Sequence, residues 1–134
     1  MPLDIAPLAN AIDRLRKGLA RHKSEPLDEP LRDGLIQRFE FTYELGDKTL
    51  RRYLQEQAAS SEEAAGMSFA ELIRAGNAQG PLRAEWPTWR HLRAVRTRTI
   101  HTYDSETAAA VAAEIPKFLE DAEYLCTPLR QRTE

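Results

Sequence analysis

One long apolar stripe constrains this chain more than any other feature. Leu31, Leu35, Phe39, Tyr43, Leu50 and Leu54 recur at multiples close to 3.6 residues, and Ile36, Leu45 and Tyr53 widen the band. That period belongs to a helix with one buried face, and its span, from about Asp28 to about Ala59, is far too long for a strand. Pro30 falls in the first turn, where its missing N–H costs nothing. Gly34 and Gly46 each weaken the helix by about 1 kcal/mol relative to Ala, yet the stripe runs through both. Such a helix needs other helices along its length to cover the stripe.

The rest of the sequence supplies them. Ile5, Leu8, Ile12, Leu15 and Leu19 share a helical face, and that helix ends before Glu25-Pro26, because the residue before a proline is pushed out of the α region. Ala58 to Gly66 reads as a loop. Ser68-Phe69-Ala70-Glu71 has the form of a capping box, and Phe69, Leu72 and Ile73 give a short helix its apolar face, with Gly76 placed to end it. Asn77 to Pro81 reads as a connection. A further helix starts at Trp86-Pro87, buries Trp89, Leu92, Val95 and Ile100, and ends near Thr102 or Tyr103. The last begins at Ser105-Glu106-Thr107. It buries residues from Ala108 to Ala113, then Ile115, Phe118, Leu119, Ala122 and Leu125. Pro116 should kink or split it, and the tail after Thr127-Pro128 should fray.

Composition agrees. Nineteen Ala and sixteen Leu stand against two Val, the balance of a helical protein rather than a sheet. The expected fold is all-α, an up-and-down bundle of four main helices plus a short one, forming a single domain over residues 1–134. Cys126 is the only cysteine, so neither an intrachain disulfide nor a cysteine metal site is available. No apolar run approaches the ~18 residues of a membrane span, and no signal peptide is visible. A cytoplasmic location is the expectation.

Net charge is −2, so no global basic character points to nucleic acid. Charge is nevertheless uneven. Between Arg83 and His101, nineteen residues carry five arginines (Arg83, Arg90, Arg93, Arg96, Arg98) and one acid, Glu85, together with His91 and His101. The plain reading is a solvated helix face. Yet all five cations are Arg, suited to bidentate phosphate contact, and two of the three histidines lie in the same run.

The segment from Arg96 to Asp104, Arg-Thr-Arg-Thr-Ile-His-Thr-Tyr-Asp, is the most informative. Cleaving a phosphodiester requires a proton shuttle and stabilised phosphoryl oxygens, and His with Arg can supply both. On an ideal helix Arg96 and His101 lie about 140° apart, whereas Thr97 and Arg98 are the same-face neighbours of His101. An Arg96/His101 pair therefore needs a helix end at His101 or a second subunit. The alternative is His101 capping a helix C-terminus.

At this point the sequence resembles a known family. The stretch from Arg32 to Leu45, RDGLIQRFEFTYEL, followed by Lys48-Thr49-Leu50-Arg51-Arg52-Tyr53-Leu54, is similar to the second-helix signature of the bacterial nucleotidyltransferase substrate-binding proteins, part of the HEPN superfamily. Trp89-x2-Leu92-x3-Arg96-x4-His101-Thr102-Tyr103 resembles the second signature, including the Arg-x4-His-x-Tyr motif of HepT-type toxins. The resemblance covers about Asp28 to about Ile115.

It implies a homodimeric helical bundle whose partner is a minimal nucleotidyltransferase, in many relatives as a toxin–antitoxin module. The implied activity is a metal-independent endoribonuclease with no cofactor, Arg96 and His101 being catalytic and meeting across the dimer cleft. Tyr103 would orient them or receive AMP from the nucleotidyltransferase. Arg93, Arg98 and Thr97 are the candidate contacts to RNA phosphate. Thr97 departs from the family pattern, which commonly has Asn there; Thr keeps a hydroxyl but lacks the amide's two donors. Gly46-Asp47 stands where relatives often carry a small residue and Trp, which affects packing more than chemistry. Two roles stay open: a ribonuclease toxin, favoured by Arg96, His101 and Tyr103, and a non-catalytic substrate-binding or accessory subunit, favoured by Thr97. A plain dimerisation bundle would scatter those three residues on solvent faces.

The remaining candidates read as structural. Phe39, Tyr43, Tyr53 and Trp89 are expected in the core, and Trp86 beside Pro87 as a staple. Glu40, Glu44 and Asp47, interleaved with Lys48 and Arg51, suit i,i+4 ion pairs better than metal ligands. His22 suits a helix C-terminus, and Cys126 has no basic neighbour nearer than Arg130 to activate it.

Overall fold

A computed structural model describes residues 4–57, 66–79, 82 and 86–133. Among the described residues five α-helices follow in order: α1 (Ala6–Ser24), α2 (Glu29–Gln57), α3 (Phe69–Gln79), α4 (Trp86–Thr97) and α5 (Ser105–Thr133), with a 3-10 turn (Arg98–His101) between α4 and α5. No strand occurs among the described residues. The all-α bundle expected from the periodicity is the one formed.

Local chemistry sets the helix ends. The N–H of Leu31 donates to Asp28 Oδ1 at 3.0 Å, so Asp28 caps α2, while the N–H of Ala6 donates at 3.0 Å to Oδ1 of Asp4, one residue ahead of the α1 N-cap Ile5, whose own side chain makes no cap bond. Arg21, His22 and Lys23 occupy the last turn of α1, where cations oppose the helix dipole. The N–H of Glu71 donates to Ser68 Oγ at 3.2 Å, the capping bond expected of that serine. Asp104 Oδ2 accepts from the Thr107 hydroxyl at 2.8 Å and opens α5. That bond is the largest cause holding the Asp104 carboxyl below its usual range.

Helices α1, α2 and α5 pack on one another, α3 lies on α2, and α4 bridges α3 and α5. Leu8, Ile12, Leu15 and Leu19 of α1 are buried, as are Leu35, Ile36, Phe39, Leu50, Tyr53 and Leu54 of α2. The Phe39 ring meets Phe118 edge to face at 4.9 Å, tying α2 to α5. Trp89, Leu92 and Val95 are buried on α4. Cys126 is buried in the same core.

Four expectations need correction, and one of the two outcomes expected at Pro116 is removed. The short helix does not stop at Gly76 but runs to Gln79, so Asn77 is helical rather than part of a connection. Gly76 serves close approach instead: a Cβ there would sit 2.7 Å from Leu82 Cδ1, and the Leu82 N–H donates to the Gly76 carbonyl at 3.2 Å. Of the two outcomes expected at Pro116, a kink or a split, the split does not occur: the helix runs from Ser105 to Thr133. The proline ring forfeits one backbone bond, at a cost of about 3 kcal/mol, but Val111, Ala112, Ile115, Phe118 and Leu119 are buried on both sides of it and hold the helix together. The face that α5 buries is narrower than expected, since Ala109, Ala110 and Ala113 are exposed. The tail does not fray at Thr127; α5 continues to Thr133. Ile100 is 73% exposed rather than buried, because α4 ends at Thr97 and the 3-10 turn points Thr99 inward in its place. The Ala58–Gly66 loop, apart from Gly66, lies outside the described residues, as do Arg83, Glu85 and the side chain of Trp86.

Candidate functional site

Three threonines shape the end of α4. The Thr97 hydroxyl donates to the Arg93 carbonyl at 3.0 Å, Thr99 to Arg96 at 2.7 Å, and Thr102 to Thr99 at 3.1 Å. Such bonds to carbonyls three or four residues back compete with the helical ladder, and here the winding changes to 3-10. The proton of Thr97 is thereby spent on its own helix.

Arg96 reaches across to α2. Its Nη2 donates to Glu44 Oε1, and its guanidinium carbon lies 6.0 Å from the centroid of the Tyr43 ring. Of the i,i+4 pairs expected of Glu40, Glu44 and Asp47 with Lys48 and Arg51, the one found among the described residues is the Asp47–Arg51 bridge, at 3.4 Å. Arg96 lines a depression of about 290 Å³ with Tyr43, Glu44, Asp47, Lys48 and Arg51 of α2, Phe69 of α3 and Arg93 of α4. Arg93 lies over the Phe69 ring at 4.7 Å. Arg51 also donates to the Met67 carbonyl at 3.0 Å, linking α2 to the segment before α3. Four cations and two acids face one another, an arrangement able to hold an anionic group of phosphate size.

Tyr43 forms the floor. Burial, with the Asp47 charge adding to it, pushes its phenol from the ordinary 10.0 up to about 12, while Arg93 and Arg96 pull the other way. The hydroxyl therefore stays protonated at neutral pH.

His101 and Tyr103 stand elsewhere. Both are exposed, Tyr103 at 86%, and their rings meet edge to face with centroids 6.0 Å apart. An α winding leaves Arg96 and His101 about 140° apart around the axis and a 3-10 winding about 120°, so neither brings them onto one face. One chain thus places Arg96 against α2 and His101 beside Tyr103. Arg98 and Thr97 are exposed near them. His91 is drawn away from this group, its Nε2 lying 3.0 Å from Glu114 Oε1 on α5. Glu44 and Tyr43 are the site residues that sequence reasoning missed. Their only sequence signal is charge and aromatic character, and nothing local says that α4 lies opposite.

Among the described residues no helix is long and apolar enough to cross a membrane.

Comparison with known proteins supplies the context for this arrangement. A protein described as a probable ribonuclease HepT of Haemophilus influenzae is 39% identical over 101 residues, covering 75% of this chain and 68% of that protein. A solved Haemophilus influenzae structure, described as revealing the fold of a substrate binding domain of a nucleotidyltransferase, matches with a TM-score of 0.88 and 30% identity, over 95% of this chain and 99% of that one. The family described as nucleotidyltransferase substrate binding protein like matches residues 3–131. With nearly its whole length matched, the chain belongs to that family.

Proposed function

We propose that this protein is a metal-independent endoribonuclease, the toxin of a toxin–antitoxin module whose other member is a minimal nucleotidyltransferase. It acts in the cytoplasm as a single-domain homodimer. Arg96 stabilises charge on the phosphoryl oxygens, His101 moves the proton, and Tyr103 orients them or accepts AMP from the nucleotidyltransferase. Arg93, Arg98 and Thr97 contact RNA phosphate. The observation that carries this reading is the match to a probable ribonuclease together with an exposed His101–Tyr103 pair that begins five residues after Arg96. The angular separation of Arg96 and His101 is met by pairing Arg96 of one protomer with His101 of its partner.

A second reading rests on Thr97 and Arg96. The Thr97 proton is committed to Arg93, and the Arg96 guanidinium to Glu44, which suits a subunit that binds substrate for the nucleotidyltransferase without cleaving it.

The test is induced expression of the wild type, Arg96→Ala and His101→Ala, with growth and total RNA followed together. Growth arrest with RNA cleavage, both lost in either variant, supports the ribonuclease. A harmless wild type that leaves RNA intact and still binds the nucleotidyltransferase establishes the accessory role instead.

A further inference from the structure

The partner of Arg96 suggests how this site is kept when no substrate is present. A carboxylate and a phosphate offer arginine the same thing, two acceptor oxygens at a spacing that its N–H groups match. Glu44 already supplies one such oxygen, Oε1, to Nη2 of Arg96 from α2. The pair is open to water, with side chains 37% and 48% exposed, and such ion pairs exchange readily because they contribute little net stability. Asp47 differs. It is more buried, and its bridge to Arg51 runs along its own helix. Around the Glu44–Arg96 pair, Arg93, Arg51 and Lys48 line the same depression of about 290 Å³, so an incoming anion meets further cations as it displaces the carboxylate. Phe69 takes a face of the Arg93 guanidinium and leaves its N–H edges for a ligand.

We propose that Glu44 is a built-in counter-ion which occupies Arg96 until a phosphate group displaces it, making the depression between α2 and α4 a phosphate-exchange site. The idea rests on Arg96 being the phosphate contact, and it does not require that RNA be cleaved. The exchange is non-covalent: the Nη2 bond to Glu44 is given up, a bond to a phosphate oxygen is gained, and Glu44 turns to water.

The test is titration of the full-length protein with inorganic phosphate at constant ionic strength, read by NMR from the Arg96 Nε–Hε signal, which Arg96→Ala assigns by its loss. Glu44→Gln should tighten the apparent phosphate Kd about threefold to fivefold, the scale set by loss of one exposed ion pair. Glu40→Gln removes a charge from the same helix and should leave the Kd nearly unchanged. Equal tightening in both variants would reduce the effect to general charge and overturn the proposal. Weaker binding in Glu44→Gln would make Glu44 a residue that orients Arg96, and would overturn it too, as would an Arg96 signal that phosphate does not move. RNA cleavage plays no part in the readout. A wild type that exchanges phosphate but leaves RNA intact therefore removes the ribonuclease reading alone.

Discussion

The rings of His101 and Tyr103 meet edge to face at 6.0 Å, with 76° between their planes, on the exposed side of the 3-10 turn. Neither ring is needed to fill the core. His101→Ala and Tyr103→Phe should therefore leave the melting temperature within about 2 °C of wild type, as expected for surface substitutions. RNA cleavage should fall at least about 100-fold in His101→Ala, the usual contribution of a general acid or base. Circular dichroism melting beside an RNA cleavage assay checks both. A large loss of stability in His101→Ala would show that the ring is structural.

Gly34 and Gly76 should respond oppositely to alanine. Nothing lies within 4 Å of a Cβ at Gly34, in the exposed part of α2, so Gly34→Ala should stabilise the protein by about 0.5–1 kcal/mol. At Gly76 the new methyl would meet Leu82 Cδ1 at 2.7 Å. The gain in helix propensity is then outweighed by overpacking of about 1–3 kcal/mol, and Gly76→Ala should destabilise. Urea unfolding of the two variants gives the signs directly.

Tyr43 makes stability depend on alkaline pH. Its folded pKa is about 12, above the ordinary 10.0, so the unfolded chain loses this proton first. The contribution is complete below pH 10 and is lost as pH rises from 10 towards 12. Urea midpoints measured between pH 9 and 11.5 should fall less steeply in Tyr43→Phe than in the wild type. Parallel curves would mean that Tyr43 ionises as freely in the fold as in the open chain.

Val95 and Ile100 separate the two windings. Val95 is 1% exposed and Ile100 is 73% exposed. Val95→Ala should cost about 1–3 kcal/mol through lost burial and a residual cavity, while Ile100→Ala should change stability by less than about 0.5 kcal/mol. Chemical denaturation distinguishes these values easily. Equal costs would indicate that α4 continues through Ile100.

The fold was legible to the extent that it depends on local pattern. The stripe from Leu31 to Leu54 and the capping Ser68 lie within a few residues of what they control, and both appear where the spacing places them. Gly76 was misread, and the split that Pro116 allowed did not occur, because their usual meaning is local, whereas here the answer came from neighbours. Pro116 sits between buried residues that outweigh its cost, and Gly76 answers to the approach of Leu82. The segment from Arg96 to Tyr103 was legible as chemistry. Its geometry was not, since the change to 3-10 winding depends on hydroxyl bonds that the residue types permit without requiring.

The sequence by itself determined that this chain is a set of helices and which face of each is apolar, because hydrogen bonds within a helix and the 3.6-residue period act over a few residues. It also displayed Arg96, His101 and Tyr103 as a motif. Only the tertiary structure decided that Arg96 answers to Glu44, fifty-two residues away along the chain, and that Tyr43 lies beneath it. Ion pairs and ring contacts of this kind form between whichever side chains two packed faces bring together. That pairing is set by the core as a whole, not by the spacing of the residues that make it.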